Sequence, residues 1–283
     1  MDKNKQQTVN PGLYLISTPI GNIKDISFRA VEILKKSNII LCEDTRRSIK
    51  LLNYYKIKNK LFPYHKFNEK KISSKIIDLI KKNKKIVSLI TDAGTPTISD
   101  PGNILIQQCV DENLNVYPIP GASAVTSAIS ISGFDDQYLF YGFLAKKENE
   151  LEKNLKNLSL LNYSIVFFVP ASKINFYITK FKRYFLDRKI VIAREMTKIH
   201  EEFIRDDVKS IKSLTVDPRG EFTVVLSKKI NINKIKNEID ESVKIDIKRM
   251  LKKYSHKDVV EFITKKENLT KKLVYNFCLK IKK

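Results

Sequence analysis

"IVSLITDAGTPTISDPG" (residues 86–102) and "VYPIPGASAVTSAIS" (116–130) decide the fold of this chain. Each opens on a short apolar run rich in strand formers and passes directly into a turn of Gly and Pro. "IVSLI" (86–90) is apolar on both faces, which suits a strand of a parallel sheet covered by helices on each side. The turns are distinctive for their charge. From residue 86 to residue 145, where "YLFYGFLA" (138–145) closes the segment, there is no Lys or Arg, so all 53 basic residues lie elsewhere. Asp92, Asp100, Asp111, Glu112, Asp135 and Asp136 give this segment a charge of −6, while 53 bases against 25 acids leave the remainder at +28. Burial accounts for part of the segregation, since cores exclude Lys. It does not account for solvent-facing turns, which elsewhere in this chain read "KIKNK" (56–60) and "KKNKK" (81–85). The pattern predicts a pocket for a cationic ligand.

Outward from this segment the same alternation recurs. "GLYLIST" (12–18) is a strand closed by the turn "PIGN". A helix follows, capped by Asp25 or Ser27, with Ala30, Ile33 and Leu34 on one face. "NIILCEDT" (38–45) is a second strand; "RRSIKLLNYY" reads as helix, "LFPYH" as extended, and a helix from Asn68 carries the stripe Ile72, Ile76, Leu79 and Ile80. Asp100 before Pro101 fits an N-cap followed by proline in the first helical position, which predicts a helix over 101–112. The alternation gives an α/β domain over 12–134. Its ligand is expected outside the carboxyl ends of the strands, at Pro19–Gly21, Asp92–Pro96 and Pro120–Ala124. The strands "YLFYGFL", "YSIVFFV", "KIVIARE", "EEFI" and "EFTVVLS", with one helix near 171–185, predict a second domain over 135–228 with a more mixed sheet. Residues 229–283 read as a Lys-rich helical region. Ser255 is placed to cap "HKDVVEFITKK", and Asn268 or Thr270 to open "KKLVYNFCLKIKK"; these two short amphipathic helices suit a small nucleic-acid-binding bundle or a packing appendage.

At 283 residues the chain is long for one core and sufficient for two. With 42% apolar and 30% charged residues it has enough hydrophobe to fold. The longest uncharged run, Asn113 to Phe134, is interrupted by Pro118, Pro120, Gly121 and Gly133, so no membrane span is expected. "MDKNKQQTVNPG" (1–12) lacks an apolar leader, and the expected location is the cytoplasm. Cys42, Cys109 and Cys278 are widely spaced, with no second Cys or His at ligand spacing, and read as small buried hydrophobes rather than as disulfide or zinc ligands. A net charge of +22 points to a polyanionic partner. Only 9 of the 53 basic residues are Arg, and an even drift of composition toward Lys would produce the same total.

Several kinds of site are absent. No GxGxxG follows a strand and no GxxxxGK[ST] is present, so neither usual phosphate cradle exists. "GASAV" (121–125) lacks the last Gly of a nucleophile elbow, and His200 is not part of HExxH. Three Gly/Pro loops at strand ends remain, offering bare backbone groups and no cation. Backbone groups suit an adenine ring and a carboxylate, Asp92 suits ribose hydroxyls or an ammonium, and the exclusion of Lys avoids repelling a sulfonium. Those properties together describe S-adenosylmethionine.

"GLYLISTPIGNIKDISFRAVEIL", "CEDTRRS", "SLITDAGTPTISDPG", "YPIPGASA", "YGFL" and "AREMTKIHEE" resemble, in order and spacing, the ribosomal RNA small-subunit methyltransferase I family. The resemblance is close over about residues 12–226. It implies the tetrapyrrole methylase fold: two α/β domains with the methyl-donor site in the cleft between them, plus a small helical C-terminal region. It implies 2′-O-methylation of a cytidine ribose (cytidine 1402) in the decoding region of 16S rRNA, within the small ribosomal subunit, with S-adenosylmethionine as donor. Carried over, Pro19, Ile20, Gly21, Asp92, Ala93, Gly94, Thr95, Ile98, Ser123 and Ala124 line the donor pocket. Glu43, Asp44 and Arg46 are the candidate catalytic residues, and Arg47, Arg194 and Glu195 hold the acceptor. Asp44 or Glu43 serves as base, and no metal is called for. Similar sequences tend to read Glu and Arg at two positions of "FFVPASK" (167–173) where this chain has Val169 and Lys173. A homodimer is expected, because a sixty-residue stretch without Lys or Arg exceeds what one small-molecule pocket needs and interface cores are depleted in charge. Two rival readings are a methyltransferase of the same fold acting on a corrin precursor or other small molecule, and a non-catalytic RNA-binding module.

Overall fold

The computed structural model describes residues 9–134, 137–215, 217–230, 238–267 and 269–281. Strands β1 (Gly12–Ile16), β2 (Ile39–Cys42), β3 (Leu61–Pro63), β4 (Ile86–Leu89) and β5 (Val116–Ile119) form one parallel sheet in the order β3-β2-β4-β1-β5. Helices α1 (Phe28–Lys36) and α2 (Thr45–Tyr54) cover one face, where Ala30, Leu34 and Leu52 meet Tyr14, Ile16 and Ile40. On the other face α3 (Glu69–Lys81) and α4 (Asn103–Asp111) set Ile76, Ile80 and Leu105 against Leu13, Val87 and Leu89. Neighbours Leu13 and Tyr14 thus go to opposite cores, as a strand's period of two demands.

One of two alternatives is decided and two local expectations are corrected. Ser27, not Asp25, caps α1, its Oγ accepting the Ala30 N–H at 3.1 Å; Asp25 ends a short 3-10 turn that Asn22 caps. The buried stripe of α3 is Ser73, Ile76, Ile77 and Ile80, with Ile72 and Leu79 at its margin. Asp100 caps no helix: α4 begins two residues after Pro101, because Gly102 at φ +134° turns the chain first.

The second sheet comprises β6 (Tyr138–Phe143), β7 (Ser164–Pro170), β8 (Lys189–Arg194), β9 (Glu202–Asp207) and β10 (Glu221–Leu226), in the order β6-β7-β10-β8-β9. It is mixed: β6 runs parallel to β7, and the other pairs are antiparallel. Two helices, not one, cover its outer face. The unforeseen α6 (Glu148–Leu160) buries Leu151, Leu155 and Leu158, and α7 (Ile174–Tyr184) buries Tyr177, Ile178 and Phe181. The inner face is covered by α5 (Ala124–Ser132), which follows the last strand of the first sheet yet packs Val125 and Ala128 against Val166, Val191, Ala193 and Val225 of the second. Ser123 caps α5 and Gly133, at φ +69°, ends it. Because α5 is shared in this way, Ser123 and Ala124 sit where the two sheets converge.

Among the described residues, one charged side chain, Arg188, lies wholly inside. Arg188, at 0% exposure, donates to the carbonyls of Leu161, Tyr163 and Ser227 and stacks its guanidinium on Phe185. It ties the turn before β7 and the end of β10 to the start of β8.

Residues 229–283 form a separate compact unit. Three helices are described there rather than two: α8 (Glu241–Met250), α9 (His256–Glu267) and α10 (Lys271–Ile281), packed around Ile247, Val259, Ile263 and Val274. Ser255 Oγ accepts the Asp258 N–H at 3.2 Å, and Thr270 Oγ1 the Leu273 N–H at 3.2 Å, so both caps form. Asn268, Asp135, Asp136 and residues 1–8 lie outside the described residues. No helix among the described residues is long and apolar enough to cross a membrane.

Candidate functional site

The turns that follow β1, β4 and β5 are joined to one another before any ligand is considered. Thr18 and Gly94 exchange backbone hydrogen bonds at 2.9 and 3.0 Å, and Thr18 Oγ1 donates to the Thr91 carbonyl at 3.0 Å. Ser17 Oγ and Thr95 Oγ1 lie 2.9 Å apart, and Thr95 Oγ1 reaches the Ala122 carbonyl at 3.4 Å. Gly94 is left-handed at φ +82°. A Cβ there would meet nothing closer than Ile20 Cγ2 at 3.5 Å, so the glycine is required by the backbone angle rather than by crowding within the protein. Thr97 and Ser99 continue the loop at φ +73° and +71°. A β-branched residue in that region is strained, and such strain persists only where surrounding structure enforces it.

These turns form one wall of a cleft of about 590 Å³. On the first sheet's side the wall carries Ile20, Glu43, Arg47, the Asp92–Thr95 turn, Ile98 and Asp100, with Ser123 and Ala124 from the start of α5. The opposite wall is Phe143 of β6, Phe168 of β7, Ala193 of β8, the loop residues Glu195, Met196 and Lys198, and Gly220, Glu221 and Thr223 at the start of β10. Two contacts hold the walls together. The Asn22 N–H donates to Thr197 Oγ1 at 2.9 Å, and Gly21 lies so close to this loop that a Cβ would fall 2.7 Å from the Met196 carbonyl. Here too the backbone is strained, with Glu195 at φ +49° and Thr197 at +66°. Nearby, a Cβ on Gly142, at φ +80° in a bulge of β6, would lie 3.1 Å from Ser99 Oγ.

Of the residues singled out for the donor, eight line the cleft: Ile20, Asp92, Ala93, Gly94, Thr95, Ile98, Ser123 and Ala124. Pro19 and Gly21 do not line it; they belong to the turn that docks on residues 196–198. Glu43, Arg47 and Glu195 line it as well. Asp44, Arg46 and Arg194 do not. Asp44 accepts the Arg46 N–H at 2.8 Å as the N-cap of α2 and grips the Arg46 guanidinium at 2.9 and 3.2 Å. Those bonds hold its carboxyl down at about 2. Arg194 pairs with Glu202 at 3.3 Å across the β8–β9 edge. Val169 is buried with α6 and α7 on the outer side of the second sheet, whereas its neighbour Phe168 faces the cleft, so the departure at that position is not in the wall.

Asp92 is the hinge of the site's charge arrangement. Its Oδ1 accepts the Asp44 N–H at 3.1 Å and its Oδ2 pairs with Arg47 at 3.2 Å, which fixes the end of β2 to the end of β4. Around it, burial lifts three carboxyl groups. Asp100 is pushed up to about 6, chiefly by burial and further by Glu43 and Asp92. Glu43 is raised by burial and by Asp92, with Lys66, Arg47 and His65 opposing. Glu221 is raised by burial, with Arg47 and Lys198 opposing. The cleft therefore holds Glu43, Asp92, Asp100, Glu195 and Glu221 against the two cations Arg47 and Lys198. Asp100, Glu221, Phe143, Phe168 and Lys198 were not among the sequence candidates. Asp100 before Pro101 reads as a cap, Phe143, Phe168 and Glu221 lie on strands whose alternation shows only that one face is apolar, and Lys198 lies in the loop after β8.

The residues present fit an adenosylated sulfonium amino acid. The volume is that of a small-molecule site, and the excess of carboxylates suits a cation.

Residues 12–212 match the family model of the Tetrapyrrole (Corrin/Porphyrin) Methylases. The chain is 43% identical over 220 residues to the ribosomal RNA small subunit methyltransferase I of Thermotoga maritima, covering 77% of this chain and 98% of that protein. It is 36% identical to the protein of the same name from Rickettsia prowazekii, over 94% of this chain and 95% of that one. Among solved structures, diphthine synthase superposes with a TM-score of 0.61 at 13% identity, covering 76% of this chain and 89% of that chain. A uroporphyrin-III C-methyl transferase from Thermus thermophilus, complexed with S-adenyl homocysteine, gives 0.52 at 13% identity, covering 76% and 97%. Similarity at that identity reports the fold alone.

Proposed function

This chain belongs to the ribosomal RNA small subunit methyltransferase I family, within the tetrapyrrole methylases, and from that membership we propose that it methylates a ribose of 16S rRNA. The finer reading is 2′-O-methylation of a cytidine in the decoding region, on the small ribosomal subunit in the cytoplasm. The observation that carries it is the meeting of three hydrogen-bonded turns with an acid-rich cleft on a chain of net charge +22. A cleft rich in carboxylates favours a small cation, and a net charge of +22 favours a polyanion.

S-adenosylmethionine, when bound, supplies an electrophilic methyl group. The Asp92–Thr95 turn, Ile20 and the Ser123–Ala124 start of α5 would hold it, and the carboxylates of the cleft, Asp100 among them, would favour its positive charge. What the chain contributes beyond this is positioning and one proton acceptor. Placing a hydroxyl oxygen in line with the methyl carbon supplies much of the rate of such a displacement. Glu43 is the base of this reading: it lines the cleft, and its carboxyl is raised toward a more effective proton acceptor. Glu43 would take up the proton that the attacking hydroxyl gives up. Asp44 is a weaker choice, since its oxygens are engaged by Arg46 and its carboxyl is held at about 2. Arg47, steadied by Asp92, presents a planar fork suited to a phosphate of the acceptor strand. Arg46, with a side chain 88% exposed, and Arg194 would act further out on the RNA.

The test is methyl transfer from labelled S-adenosylmethionine to unmodified small subunits, to naked 16S rRNA and to a corrin precursor. Nucleoside mass spectrometry should find 2′-O-methylcytidine; label entering only the corrin precursor would overturn the assignment. Glu43→Gln should reduce turnover by about 100-fold or more with donor affinity retained. A homodimer is part of the proposal, and a monomer mass by light scattering would remove it.

A further inference from the structure

Phe67 is 97% exposed, and the fold makes it so. The turn that bears it is fastened by Asn68, whose Oδ1 accepts the His65 N–H at 2.9 Å and whose Nδ2 donates to the Pro63 carbonyl at 3.0 Å. The Asn68 and Glu69 N–H groups both return to the His65 carbonyl, at 2.9 and 3.0 Å, and the His65 ring meets Phe67 edge-on at 5.9 Å. A large apolar ring is thus held in water by a turn with little freedom to bury it.

Its position bears on the site. The turn follows β3, at the edge of the first sheet next to β2, on the carboxyl-end side where the cleft opens. Lys66, beside Phe67, lines a recess with Glu69, Thr97, Ser99 and Asp100; Ser99 and Asp100 also line the cleft, so the two hollows adjoin. The charge of Lys66 is felt by both Glu43 and Asp100. The donor turns belong to β1, β4 and β5, whereas Arg47 and Lys66 follow β2 and β3. From the cleft outward the rim therefore offers a guanidinium, an ammonium and then a bare ring. Proteins that bind unpaired RNA combine cations for the backbone with aromatic faces on which splayed bases stack.

We propose that Phe67 is a stacking platform for an unpaired base of the RNA strand whose ribose enters the cleft, with Lys66 on the adjoining phosphate. This rests on the RNA reading above. The chain contains no Trp, so Phe67→Trp gives the full-length protein one indole, at the proposed contact. The probe is a single-stranded oligonucleotide of small-subunit rRNA sequence. Phe67→Trp should bind it about as the native chain does, with quenched fluorescence. Phe67→Ala should bind it about ten- to a hundredfold more weakly, with donor affinity and melting temperature unchanged. Unchanged RNA affinity in Phe67→Ala, or an indole unresponsive to RNA, would overturn the platform. So would an altered mass of Phe67→Ala by light scattering, which would give this ring to a contact between copies. Native methyl transfer to small subunits, measured in parallel, keeps the two readings apart: transfer that proceeds undiminished in Phe67→Ala sinks the platform alone, whereas RNA-dependent quenching without any transfer sinks the methylation and keeps the platform.

Discussion

Burial lifts the Asp100 carboxyl to about 6 from an ordinary 3.8, with Glu43 and Asp92 adding to the rise. A carboxyl raised in this way holds its proton more readily in the folded chain than in the unfolded one. Its ionisation therefore costs stability; the cost is absent below 3.8, grows as pH rises toward 6 and is complete above that. Asp100→Asn should accordingly melt higher than the native chain at pH 8 and lose that advantage near pH 4, while binding the donor less well. An equal difference in melting temperature at both pH values would contradict this. Gly94 gives a second test at single-residue resolution. Since a Cβ there meets only ordinary contacts but φ is +82°, Gly94→Ala should fold and lose about 1–2 kcal/mol, readable by urea denaturation. The sequence made Gly94 visible and hid Asp100. A Gly in a strand-end turn advertises its backbone freedom, whereas an Asp before Pro looks the same whether it caps a helix or stands in a cleft. Only the turn at Gly102 separates the two.

Helices and strands were legible where their own residues carried the pattern. β4 read as a parallel strand because Val87, Ser88 and Leu89 are all buried, and α1 because Ser27, Ala30, Ile33 and Leu34 supply a cap and a face. α6 was not legible. Its Leu151, Leu155 and Leu158 recur at helical spacing, but the stripe is narrow, three Leu among Lys, Glu and Asn, and does not show which sheet face it covers. The second wall of the cleft was hidden for a related reason: Phe143, Phe168 and Glu221 come from three strands that meet only through pairing in the sheet. Two predictions belong at this scale. Gly21→Ala would drive a Cβ into the Met196 carbonyl, parting the 19–22 turn from the 195–198 loop. Methyl transfer should fall at least tenfold with little change in melting temperature; full activity would mean that the contact does not shape the site. Arg188→Ala would leave the carbonyls of Leu161, Tyr163 and Ser227 without their donor. The expected loss is about 3 kcal/mol or more, measured by denaturant titration.

Across the whole molecule, charge is divided by task. The cleft holds five carboxylates against two cations, while the chain as a whole carries +22. Attraction inside a partly buried cleft is weakly screened, but attraction between an exposed basic surface and RNA falls steeply as salt displaces the released counterions. Donor and acceptor should therefore respond to different variables. RNA affinity should fall about 1,000-fold or more between 50 and 200 mM salt if six or more phosphates are engaged, while donor affinity changes several-fold at most. Donor affinity should instead follow pH. Asp100 is pushed up to about 6, so a cation beside it finds less opposing charge below that pH and more above it. The donor dissociation constant should thus decrease as pH rises from 5 to 8, and the dependence should flatten in Asp100→Asn. Calorimetric titrations at two salt concentrations and four pH values, with donor and with RNA, would test the division. A donor affinity as salt-sensitive as that for RNA, or one that weakens as pH rises, would mean that the acids of the cleft do not face the cation and that their segregation serves burial or subunit contact instead.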